Sequence, residues 1–151
     1  MEKSRIALLI VAIVAALGCL GYMGVNAFCD KVYKSRDCDF ANIDNIEMHA
    51  RIDIPATTDC ECKYDDATNT KKVVFNLEKE SLPDDYINKN NFVKKEASAI
   101  AVADFGFKND PLHFSKSGSL YYREGKTKSD DYKIIFDENA GKIWIQLKYL
   151  D

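Results

Sequence analysis

Residues 6–25 read IALLIVAIVAALGCLGYMGV, twenty residues without a charge. A helix of that length rises about 30 Å, the thickness of a bilayer's hydrocarbon core. A soluble domain of this size almost never holds such a run as core. The run is therefore read as a transmembrane or signal helix, in contact with the lipid bilayer through residues 6–25. MEKSR, short and net basic, precedes it.

Three membrane readings fit. An uncleaved anchor is favoured, because the run exceeds the apolar core of about 7–15 residues usual in a signal peptide. A cleaved signal is the alternative: Val25-Asn26-Ala27 puts small residues where a signal peptidase reads, with cleavage before Phe28. Lipidation at Cys19 is the third, on the loose lipoprotein-box likeness of Ala16-Leu17-Gly18-Cys19. Basic residues flank the run on both sides (Lys3 and Arg5 before; Lys31, Lys34 and Arg36 after), so the charge rule does not orient it.

The cysteines orient it instead. Outside the run stand four, Cys29, Cys38, Cys60 and Cys62. An even number in a small domain behind an export-like segment reads as a disulfide framework and an oxidising compartment. A Cys60–Cys62 bond closes a very small strained ring, which disfavours one of the three connectivities. Both others tie residues 29–38 to residues 60–62. Positions two apart on a strand share a face, so Cys60 and Cys62 are expected to form a double staple. Zinc is the weaker reading, since structural sites favour two-residue gaps and a CxxC pair is missing.

The chain has 151 residues. This length suits one domain behind the N-terminal segment (residues 1–27), with a juxtamembrane linker over 28–45 and an extracytoplasmic domain over 46–151. Residues 28–151 carry 19 basic and 23 acidic side chains, a net −4. That balance argues against nucleic acid as a partner, although an average can hide a small basic patch.

In 46–54 the apolar residues Ile46, Met48, Ala50, Ile52 and Ile54 alternate with polar ones, the period of a half-buried strand. Strands are also expected at 59–64, 71–77, 119–124, 131–137 and 142–150. A helix is expected over 82–90 and a short second one within 92–107. In the last strand Ile143, Ile145, Leu147 and Tyr149 face one way and Trp144, Gln146 and Lys148 the other. The fold class is α+β: a small antiparallel sheet with one or two helices packed on one face.

The residues name no reaction. His49, expected on the polar face of its strand, and His113 read as surface histidines. The pairs Asp65-Asp66, Asp84-Asp85 and Asp130-Asp131 read as turn or cap residues. Asp137–Gly141 resembles the start of a calcium loop only faintly, and a hairpin turn accounts for it. No cofactor motif is present. Adjacent Tyr121 and Tyr122 should face opposite sides of a strand, one of them buried; with Trp144 they form a possible interaction surface. The leading expectation is a non-enzymatic tethered domain that binds a protein or small molecule outside the cytosol. A secreted or periplasmic inhibitor or immunity-type protein is the alternative. A small hydrolase using His49 or His113 ranks third.

Overall fold

The structure is a computed structural model and describes residues 2–39, 42–78, 85–96 and 120–150. Helix α1 spans Glu2–Lys34. Its stretch Leu8–Lys34 is long and apolar enough to cross a membrane, a test that a signal sequence also passes. The helix runs without a break through Phe28, so the expected linker is helical as far as Lys34. A short connector leads to α2 (Asn42–Ala50).

Six antiparallel strands follow: β1 (Thr57–Asp65), β2 (Thr70–Leu77), β3 (Val93–Lys95), β4 (Leu120–Lys126), β5 (Asp130–Asp137) and β6 (Lys142–Tyr149). A single turn of helix, α3 (Tyr86–Lys89), precedes β3. The order across the sheet is β1-β2-β6-β5-β4-β3. The last strand thus enters the middle, between β2 and β5. This is the expected α+β class: a long apolar helix, an open antiparallel sheet and short helices.

Period-two patterning explains the two faces. Val73, Phe75 and Leu77 of β2 lie with Ile134 and Phe136 of β5 and Ile143, Ile145, Leu147 and Tyr149 of β6 on the inner face. Ile46 and Ala50 of α2, Tyr86 of α3 and Phe92 cover them. The outer face holds a smaller cluster of Val74, Leu120, Ile135 and Trp144, with Tyr122 against it. Gly141 takes a left-handed φ of 63° in the β5–β6 turn, as the hairpin reading requires. On β4, Gly125 lies under the Tyr132 ring of the next strand, where even a Cβ would collide with the phenol.

Two expected elements differ. Residues 46–50 are helix, not strand. Alternation and a helical spacing both fit so short a stretch, and the helix wins because Asn42, Asn45, Ile46, His49 and Ala50 turn inward together. Three of those five are polar, which concealed the buried face. Arg51, at φ 51°, ends the helix. Val93–Lys95, assigned to a second helix, is an edge strand paired with β4. The rest of that expected helix, the start of the one at 82–90 and His113 lie outside the described residues.

Candidate functional site

A cluster of buried polar side chains gathers where α1 ends: Asn45, His49, Lys71 and Asp130. A helix terminus leaves four carbonyls without intrahelical partners, and a buried end needs donors from elsewhere. α2 supplies them. Asn45 Nδ2 donates to the carbonyls of Val32 at 2.8 Å and of Tyr33 at 3.2 Å. His49 Nε2 lies 2.7 Å from the Tyr33 carbonyl, which also accepts from the Arg36 guanidinium. A carbonyl can only accept, so Nε2 carries a hydrogen.

The other side of each α2 residue is tied to the sheet. His49 Nδ1 is 2.6 Å from Asp130 Oδ1, and both side chains are buried. Asp130 Oδ2 accepts from Ser129 Oγ at 2.8 Å and Thr127 Oγ1 at 3.1 Å. Ser129 Oγ also meets the Tyr33 hydroxyl at 2.9 Å, returning the network to α1. Tyr33 stacks on the imidazole with ring centres 4.0 Å apart, and Tyr149 meets it edge-on at 5.0 Å.

Asn45 Oδ1 accepts from Lys71 Nζ at 2.9 Å and from the Tyr149 hydroxyl at 2.7 Å. The amide therefore has two acceptors for its donors and two donors for its oxygen. Lys71 lies on the inner face of β2, fully buried. Burial pushes its ammonium down from the usual 10.5 to about 8; Asp37 opposes that shift and Arg36 adds to it. Arg36 lies 3.8 Å above the Tyr149 ring.

This arrangement grips a helix. The single imidazole among the described residues has one nitrogen on a carbonyl and the other on a carboxylate, leaving neither for a substrate. Asn45 and His49 are four residues apart, a spacing that puts them on one helix face; reading 46–54 as strand hid the pair and placed His49 at the surface. Asp130, read as a turn residue, is the buried partner of that histidine.

One disulfide fastens the same region. Cys38, in the α1–α2 connector, is bonded to Cys62 on β1, with Cα atoms 5.7 Å apart. Cys29 and Cys60 are free and exposed, so the second expected staple is not formed. The continuous helix accounts for this: Cys29 sits on α1 and not on a pliable linker that could reach β1. Among the described residues no group of three or more His, Cys, Asp or Glu could hold a metal.

Tyr121 and Tyr122 do face opposite sides. Tyr121 packs against the inner cluster and Tyr122 against the outer one, each half-buried. The Lys95 ammonium lies 4.2 Å above the Tyr122 ring, and the Tyr122 hydroxyl donates to Glu124 at 2.7 Å. Trp144 is 1% exposed and belongs to the outer cluster, so its ring offers little surface to a partner. Comparison of the chain with protein-family models, with curated proteins and with solved structures matched none of them.

Proposed function

We propose that this chain is a single-pass membrane protein whose disulfide-stabilised domain lies outside the cytosol and binds a partner, held in a fixed pose on its anchor. The observation that carries the reading is the grip of Asn45 and His49 on the last carbonyls of an uninterrupted membrane-length helix. A flexible tether would need neither donor. The Cys38–Cys62 bond supports the oxidising side, since such bonds are rare in reducing compartments. The tyrosines of β4 are the surface proposed for the partner, a protein or small molecule; the net negative charge disfavours nucleic acid.

A released form is the second reading. Val32, Tyr33 and the residues that grip them all follow Phe28, so cleavage there would leave the grip intact. The same domain would then act as a secreted or periplasmic inhibitor or immunity-type protein.

Sidedness is tested with a membrane-impermeant thiol reagent on intact cells. Cys60, exposed on β1, should be labelled before lysis. Labelling that appears only after lysis would place the domain in the cytosol and overturn the proposal.

A further inference from the structure

The apolar run of residues 6–25 is followed by four more uncharged residues, Asn26 to Cys29, before the first charge at Asp30, and α1 continues to Lys34. At about 1.5 Å per residue, Phe28 and Cys29 stand roughly 5–6 Å beyond Val25 along the axis. The headgroup layer on each side of a bilayer is about 5–7 Å deep. A retained anchor therefore places this turn of α1 where the acyl chains meet the headgroups.

α2 packs against that turn and leaves a groove of about 180 Å³ between the helices, lined by Phe28, Cys29, Val32, Asp44, Glu47 and Met48. Val25, Phe28, Cys29 and Val32 follow the spacing i, i+3, i+4, i+7, one face of a helix. The groove is thus the continuation of a stripe that faces lipid lower down. Its apolar wall is open at Phe28, 56% exposed, and at Met48, 41% exposed, while Val32 is buried. Ordinary small-molecule pockets measure about 300–1,000 Å³, so this groove suits a segment of a longer molecule whose remainder lies elsewhere. The carboxylates of Asp44 and Glu47 also line it, one Glu47 oxygen accepting from the Ile54 N–H at 2.6 Å, and they repel an anionic headgroup and attract an amine.

We propose that the groove seats a zwitterionic phospholipid of the surrounding bilayer, with the upper part of an acyl chain against Phe28, Val32 and Met48 and the headgroup amine facing Asp44 and Glu47. The proposal rests on the anchor being retained. It makes α2 a second membrane contact, which restricts the tilt of the domain on its anchor.

The test uses the full chain in phosphatidylcholine–phosphatidylglycerol vesicles, with one lipid at a time brominated near the top of its acyl chains to probe the groove and near mid-chain to probe the span. Met48→Trp reports the groove and Leu17→Trp the span; the unsubstituted chain, with its buried Trp144, sets the baseline. A urea midpoint equal to that of the unsubstituted chain shows that Met48→Trp is folded. Brominated phosphatidylcholine should quench the Met48→Trp emission about twofold, and more strongly than brominated phosphatidylglycerol does. Equal quenching by the two lipids would overturn the headgroup preference. Quenching at Leu17→Trp without quenching at Met48→Trp would show a groove open to water and overturn the proposal while the anchor stands. Quenching at neither position would overturn the anchor itself.

Discussion

Asn45 joins α1 to the sheet through one amide. Its two donors hold the Val32 and Tyr33 carbonyls, and its oxygen holds Lys71 and Tyr149. Replacing it with alanine removes four hydrogen bonds and strands a buried ammonium. Each bond is worth about 1 kcal/mol net, and an unpartnered buried cation adds to the loss. Asn45→Ala should therefore cost about 3–4 kcal/mol, read by urea unfolding in detergent micelles with Trp144 fluorescence. Lys71 also sets a pH dependence. Its folded-state value of about 8 lies below the unfolded 10.5, so between those pH values the unfolded chain binds more protons. Stability should rise across that window by at most about 3 kcal/mol. Burial raises the Tyr86 and Tyr149 hydroxyls above their usual 10, so above about pH 10 the unfolded chain deprotonates first and stability falls. The pH profile should peak between about pH 9 and 10, and Lys71→Met should remove the rising limb alone.

Among the elements, the connector between α1 and α2 carries the bond to β1. The Cys38–Cys62 link closes a loop with a sequence separation of 24 residues, worth about 3 kcal/mol by chain entropy. Cys38→Ser should cost about that much in urea unfolding, while Cys60→Ser should change stability by less than about 0.5 kcal/mol. The strands were legible because they alternate: Val73, Phe75 and Leu77, then Ile143, Ile145, Leu147 and Tyr149, each fall on one face. Gly141 marked its turn for the same local reason. α2 was not legible, because its buried face is built from Asn42, Asn45 and His49, and hydrophobic periodicity is blind to polar residues turned inward. The gripping site went unseen with it. Its partners Tyr33, His49 and Asp130 lie up to 97 residues apart in sequence, and only the sheet topology brings Asp130, at the head of β5, under the imidazole.

In the whole molecule, the membrane-length helix and the domain share one turn of backbone. Val32 is buried in the domain while Val25, two turns earlier, lies exposed on the apolar run. A domain gripped in this way cannot swing freely about α1, which under the proposed function would hold its binding surface at one height and angle above the bilayer. Under the proposed function, α1 stays attached and the domain folds on the oxidising side. The most direct test is the intact mass of the chain from native membranes, denatured and thiol-blocked without prior reduction. The expected result is a chain with α1 retained and three labels, on Cys19, Cys29 and Cys60, rising to five after reduction. Five labels before reduction, or a chain that starts at Phe28, would contradict it.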